Sequence, residues 1–182
     1  MNTTTILQSR AIQARFSPPD PAQANGAFVF DRDELLTRTG DVLDGRHPGV
    51  LTTADRAGIP RPRWMATLSF EAFPILYALT SPHSRKLEDL QVHPDVSWLF
   101  ANEDMSMTVT LNGKAAEIFD PYEIKHVWSA IEDKHQAYFL REQPCVTVIG
   151  TVVDTVECCL PMRNFRVPFS IEELCPKVGS GA

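Results

Sequence analysis

Apolar positions recur along this chain with two different periods. From Phe30 the sequence places Leu35, Leu36, Thr39, Val42 and Leu43 on one face at helical spacing. Asp31 or Asp33 can cap the start of that helix and Gly45 can end it. It reads as a packing element. After His47-Pro48-Gly49 strands dominate, with a first strand over 50–54, a turn at Asp55-Arg56-Ala57-Gly58, and a second strand over 60–70. The second is rich in β-branched and aromatic residues. Pro60 and Pro62 stand at its entry, where a missing amide donor is tolerated. A turn over 71–74 leads into a third strand over 75–80, and a short helix over 84–93 stops against Pro94.

Strands over 96–101 and 107–119 follow. Asn112-Gly113 inside the longer one marks either a tight hairpin or a bulge that bends it. Asp120-Pro121 opens a helix reaching to about Ile131, and 145–157 reads as a final strand with Gly150 inside it. Residues 1–27, punctuated by Pro18, Pro19 and Pro21, read as a flexible arm. Residues 28–160 read as the domain proper, and 161–182 as an irregular tail that packs on the domain or extends from it. Many short strands with helices as lids predict a mainly β fold, a small β-barrel with accessory helices. Closing the barrel removes the exposed edges that six or so strands would otherwise present.

The chain has 182 residues, 43% hydrophobic and 22% charged, which suits one globular domain with its own core. Lys and Arg number 17 against 23 Asp and Glu, a net charge of −6. An acidic chain argues against a general nucleic-acid binder, which needs a basic face to displace phosphate counterions. It leaves room for one small phosphate ligand held by two or three local cations. No stretch is apolar and long enough for a membrane helix, and the first twenty residues lack a signal-peptide pattern. Cys145, Cys158, Cys159 and Cys175 show no metal-binding spacing and read as reduced thiols. The expectation is a cytoplasmic protein without a metal, a nucleic-acid partner or a membrane anchor.

Candidate chemistry concentrates in Thr80-Ser81-Pro82-His83-Ser84-Arg85-Lys86. A strand ends in hydroxyl residues, a turn follows, and a helix begins beside a Ser, an Arg and a Lys. Free amides at a helix start together with a hydroxyl and two cations make a phosphate cradle. The plain alternative is a helix capped by Ser84 with Arg85 and Lys86 solvated. A second cluster is Arg61-Pro62-Arg63-Trp64-Met65. Strand alternation sends Arg61, Arg63 and Met65 to one face and Trp64 and Ala66 to the other. Two Arg on one face are costly to bury unless an anion meets them. The alternative is a wetted strand.

Three stretches, GVLTTADRAGIPRPRWMATLSF, LYALTSPHSRKLEDLQVHPDVSWLF and TVTLNGKAAEIFDP, carry a likeness in order and spacing over about seventy residues. Through them the chain resembles the FMN-binding split-barrel superfamily that includes pyridoxamine 5′-phosphate oxidase, and within it the general-stress-protein branch. The resemblance implies a homodimeric split β-barrel with FMN at the subunit interface. It assigns the flavin phosphate to Arg63, Arg85 and Lys86, with Ser84 and Arg61 beside them. It sets Trp64, Met65, Ala66 and Thr67 along the isoalloxazine ring, largely through their backbone. It places Leu79 and Thr80 by the ribityl or phosphate region and Thr108 where related oxidases carry a Gln. The implied function is a flavin-dependent oxidoreductase acting on a small-molecule redox substrate or NAD(P)H. Two alternatives keep the family: a flavin-binding stress protein without turnover, and a reductase binding deazaflavin F420. Haem is disfavoured because no His stands out as an axial ligand.

Two departures from the oxidase pattern stand out. The oxidases carry a substrate-binding Lys five positions after the flavin Arg, and here that position is Leu68. Their C-terminal Arg-x-His is replaced by Arg163-Asn164-Phe165-Arg166-Val167-Pro168. Both argue against pyridoxamine-phosphate oxidase activity. No nucleophile–base set is visible among Ser69, His83, His93, His126 and His135, so no catalytic residue is assigned. Trp128 and Tyr138 read as packing residues, given the helical spacing of Ile124, Val127, Trp128 and Ile131.

Overall fold

The computed structural model describes residues 31–43, 48–68, 73–130 and 146–175. The chain divides into two units, 1–31 and 32–182, and the fold below is that of the second. The expected arm over 1–27, the stop at Gly45, and Tyr138 and Cys145 lie outside the described residues. The elements run α1 (Arg32–Val42), β1 (Gly49–Ala54), β2 (Pro60–Met65), β3 (Ile75–Thr80), α2 (Arg85–Val92), β4 (Asp95–Ala101) and β5 (Thr108–Ile118). They continue with α3 (Pro121–Ser129), β6 (Thr147–Leu160), β7 (Phe165–Phe169) and α4 (Ile171–Leu174).

All strand pairs are antiparallel, in the order β2-β1-β4-β5-β6-β3, with β7 added on β6. The path closes on itself. Beyond Met65 the chain leaves β1, and Thr67 forms a bridge to Ala78 of β3 while the Leu68 amide donates to the Tyr77 carbonyl at 3.1 Å. The second strand therefore serves two neighbours in succession, which is why its regular ladder ends at Met65 rather than running on to 70. The fold is mainly β, a barrel with accessory helices as the strand pattern implied and a split one as the resemblance implied.

Alternation fills the interior. On β4, Val96, Trp98 and Phe100 point inward, and on β5, Val109, Leu111 and Ala115 do. Trp98 and Phe100 stack with centroids 5.9 Å apart, and the Trp98 indole N–H donates to Thr151 Oγ1 at 3.2 Å, so its one polar atom is satisfied in the core. Asn112-Gly113 resolves as a bulge. Asn112 faces Thr155 and Gly113 faces Val153, so Asp154 of β6 is the extra residue. A Cβ at Gly113 would run into the Val152 carbonyl oxygen, so only glycine lets the two backbones approach there.

Helix α1 buries the stripe read from its sequence, Leu35, Leu36, Thr39 and Val42 with Leu43 beyond its end. Helix α3, capped by Asp120 with Pro121 in its first turn, covers the outer side of β3 and β6. There Tyr77, Leu79, Val127 and Val148 form a second apolar cluster, with Trp128 and Leu68 packed against it. The Tyr77 hydroxyl donates to Glu123 at 2.8 Å.

The tail after Pro161 corrects the sequence reading. Its described part, 161–175, is regular rather than irregular and packs on the domain: β7 pairs with the last rungs of β6, which thus runs to Leu160, and α4 follows with Ser170 and Glu173 in a reciprocal capping box. Arg32 donates three hydrogen bonds to Glu173 and stacks over Phe169 at 4.8 Å, joining the first described helix to the last. The Ser-Ile-Glu-Glu spacing was a visible start signal that the Pro-containing context masked.

The bulge makes a quantitative demand. Gly113→Ala should cost ~3 kcal/mol or more through backbone overpacking. Gly58→Ala, at a turn residue with φ +76° and open space around it, should cost about 1 kcal/mol from the left-handed backbone alone. Urea denaturation of both variants ranks them; equal losses would mean that the close approach at Gly113 does not constrain the barrel.

Candidate functional site

Three elements converge where β2 is about to change neighbours. Register pairs Leu51 with Arg63 and Thr53 with Arg61, so Thr53 and Arg63 are diagonal neighbours on one face, within reach of a long side chain. Arg63 Nη2 donates to Thr53 Oγ1 at 2.8 Å. The Thr53 hydroxyl in turn donates to Asp89 Oδ2 of α2 at 2.7 Å, and the same carboxylate oxygen lies 3.6 Å from Arg63 Nη2. Thr53 and Asp89 are buried and Arg63 is largely so. The other guanidinium nitrogen, Arg63 Nη1, is buried with no hydrogen-bond partner among the described residues.

The turn after β3 supplies the rest. Lys86 Nζ donates to Thr80 Oγ1 at 2.7 Å, and the Thr80 hydroxyl reaches Ser84 Oγ at 3.2 Å. Ser84 occupies the N-cap position of α2 but makes no side-chain cap hydrogen bond. Its hydroxyl is engaged with the Thr80–Lys86 pair instead, so the plain capping alternative does not describe it. Helical spacing puts Asp89 three and four residues after Lys86 and Arg85, on the same side of α2.

The electrostatics are unbalanced. Burial lowers the pKa of Arg63, opposed by Asp89 and reinforced by the charges of Arg85 and Arg61. Lys86 is lowered by burial first and by the charge of Arg63 second, with no carboxylate among the described residues offsetting it. Two partly desolvated cations thus lie close enough for the charge of Arg63 to disfavour that of Lys86, and Asp89 offsets Arg63 only. An anion that brings both charge and acceptors would complete such a cluster.

The structure thus brings together Arg63, Lys86, Ser84 and Thr80, with Arg85 close enough for Arg63 to feel its charge. Arg61 turns to the β1–β2 hairpin, where Asp55 holds it at 2.7 Å. Trp64 and Ala66 are exposed on the outer face, while Met65 and Thr67 are buried. Leu79 points to the opposite side of β3 from Thr80, into the cluster under α3. Thr108 is not brought near: it pairs with Ala101 and Cys159, four residues, or roughly 13 Å of strand, from the rung of Thr52, Ser97 and Asn112. Thr53 and Asp89 were missed in the sequence. Their only signal was a polar residue at an otherwise apolar position of a strand and of an amphipathic helix.

A family model described as pyridoxamine 5′-phosphate oxidase matches residues 38–157, well over half of the chain. A comparison with curated proteins finds no match. Among solved structures, the chain is similar to a Clostridium acetobutylicum protein related to general stress protein 26. That likeness has a TM-score of 0.66 and 16% identity, covering 80% of this chain and 99% of the other. It is similar to a heme binding protein of Mycobacterium smegmatis, with a TM-score of 0.63, 16% identity, and coverage of 81% and 62%. It is also similar to a FAD-binding protein of Mesorhizobium loti, with a TM-score of 0.54, 20% identity, and coverage of 71% and 94%. At these identities the structural likenesses establish the fold.

The crowding of cations sets a stability expectation. Lys86→Met keeps the length of the stem but removes the buried charge. Without added anions it should raise Tm by about 2–4 °C, corresponding to roughly 1 kcal/mol of relieved desolvation and repulsion. Phosphate should stabilise the parent protein more than chloride at equal ionic strength, and this difference should shrink in the variant. A variant less stable than the parent in chloride, with an undiminished phosphate effect, would show that the cluster is not an anion site.

Proposed function

The chain belongs to the pyridoxamine 5′-phosphate oxidase family, and on that premise we propose that it is an FMN-binding, flavin-dependent oxidoreductase. The observation that carries this reading is Arg63 Nη1, buried and without a partner among the described residues, beside a second, partly desolvated cation, Lys86. A terminal phosphate monoester supplies three acceptor oxygens and close to two negative charges. Arg63, Arg85 and Lys86 against Asp89 leave two positive charges, so the monoester fits the cluster in charge as well as in hydrogen bonding. The phosphodiester of F420 brings one charge, and the two charges of the FAD diphosphate are spread over two linked phosphates, so FMN, with both charges on one terminal group, is the better match. No described histidine is buried, which weighs against axial ligation of haem.

In this reading Arg63 and Lys86 grip the phosphate from two sides. Ser84 and Thr80 orient Lys86 and offer hydroxyls, and Arg85 adds charge at the mouth. Trp64 and Ala66, exposed on the outer face, hold the ring with the backbone of Met65 and Thr67. A flavin held by these residues would supply the hydride- or electron-transfer chemistry. The protein's share is to seat the flavin, exclude water from one side of it and leave the other open to a redox partner such as NAD(P)H.

Trp64 is 67% exposed and Leu99 43%, and Val50 links them across three adjacent strands. A second copy of the chain covering that strip would make the homodimer. It would also give Thr108, remote within one chain, a route to the partner's flavin. Leu68, where a substrate-binding Lys stands in the oxidases, packs against the cluster under α3 instead. Pyridoxamine-phosphate oxidation is therefore not the proposed reaction.

Titration of the purified protein with FMN, followed by quenching of flavin fluorescence, tests the reading. Saturation at one FMN per chain is expected, with affinity reduced at least ~100-fold in Arg63→Ala/Lys86→Ala, since each charge-assisted contact contributes about 1.5–3 kcal/mol. Affinity should also fall as pH rises through the lowered pKa of Lys86. Free Lys86 loses its proton early there, and the bound phosphate must draw one back, so the decline approaches tenfold per pH unit. Lys86→Met should lack that decline. Failure of the parent protein to take up FMN, or equal uptake by the double variant, would overturn the proposal. Steady NADH or NADPH consumption by the loaded protein would distinguish turnover from flavin storage.

A further inference from the structure

We propose that Asp89, acting through the Thr53 hydroxyl, is a positioning residue that aims Arg63 at the ligand phosphate. The inference rests on the flavin-phosphate reading above and concerns which groups make that site work. An ionised carboxylate only accepts hydrogen bonds. Thr53 Oγ1 lies 2.7 Å from Asp89 Oδ2, so the single proton of its hydroxyl is committed there. Its lone pairs are then left to face Arg63 Nη2 at 2.8 Å. Asp89 thereby fixes the direction of the hydroxyl, and the hydroxyl fixes the guanidinium.

One amino group of Arg63 is consumed by this arrangement. The other, Nη1, is left buried and without a partner among the described residues, and so is held in place for a ligand. The three residues come from β1, β2 and α2, and Thr53 is only 1% exposed, so the triad is set by the packing of the helix on the barrel. An Asn in place of Asp89 can present its NH2 to Thr53, and the hydroxyl is then free to reverse and point its proton at Arg63, which would drive the guanidinium from its place.

The proposal makes a prediction opposite in sign to simple electrostatics. Asp89 is a negative charge beside a phosphate site, so Coulomb's law alone says that neutralising it tightens phosphate binding. Positioning says that it loosens. Two further variants separate positioning from packing. Thr53→Val conserves shape and removes the hydroxyl, whereas Thr53→Ser keeps the hydroxyl and leaves a methyl-sized void. A packing role makes Thr53→Ser the more damaging change, and a positioning role makes Thr53→Val so.

The experiment is FMN titration of the full chain and of Asp89→Asn, Thr53→Val and Thr53→Ser, with urea denaturation of each. The expected result is FMN affinity about tenfold weaker in Asp89→Asn and Thr53→Val and within about threefold of the parent in Thr53→Ser. Should Asp89→Asn fail to fold, the Thr53 pair decides alone. Parent-like or tighter FMN binding by Asp89→Asn and Thr53→Val, with the parent saturable, overturns the positioning role and leaves the flavin reading intact. A parent protein that takes up no FMN overturns both.

Discussion

The closure of the barrel through Thr67 and Ala78 is the constraint on which both the fold and the site depend. Without it, β2 and β3 would be the two free edges of an open antiparallel sheet, each with a row of unsatisfied backbone groups. The bridge joins those edges at one point, with the Leu68 amide on the Tyr77 carbonyl beside it, and it also fixes a distance in the chemistry. Arg63 stands four residues before the bridge on one strand, and Thr80 two residues after its partner on the other. Cations that are far apart in sequence therefore meet because the sheet must close. The site is a by-product of solving the edge problem, and its position on the rim of the seam follows.

The cluster at that seam works against the stability of the ligand-free chain. The protein carries six more acids than bases, yet its candidate site draws three bases toward one buried carboxylate. Desolvation lowers both Arg63 and Lys86, so each is held in a place where its charge is disfavoured. An anion bound there would couple binding energy to folding energy through the same groups. Elsewhere the bases are handled differently. Arg61, Lys114, Arg166 and Arg32 are matched to Asp55, Asp95, Glu157 and Glu173 at the surface, where pairs of this kind contribute little. The contrast is between bases matched at the surface and Lys86, half-buried with no carboxylate among the described residues offsetting its charge.

Much of this was legible in the sequence, for reasons that differ by element. The strands were readable because one barrel face is buried along most of their length, which imposes alternation. The helix at 32–42 was readable because its stripe is uninterrupted. The Arg63 and Lys86 clusters were visible as charge density in an acidic chain. What was not legible depended on cross-strand register. Thr53 and Asp89 carry no local signal, since each becomes meaningful only when β1, β2 and α2 meet. Arg61 resembled Arg63 in every local respect, and a turn carboxylate six residues away decided its fate. The tail misled because its prolines concealed a strand that forms only on the edge offered by β6.

Parity along β3 shows how narrow the margin is between those two kinds of residue. Leu79 and Thr80 are adjacent, yet Leu79 turns outward beneath α3 with Tyr77, and Thr80 turns inward to Lys86. A slip of one residue in the β3–β6 register would exchange them, driving a hydroxyl into the apolar cluster and a leucine into the cation cluster. The outer cluster therefore does more than seat a helix. By burying Tyr77 and Leu79 on one side it forces Thr80 to the other, and so the apolar packing of α3 fixes a polar contact on the far side of the strand. The specificity of the candidate site is in this sense enforced by hydrophobic residues that never touch it.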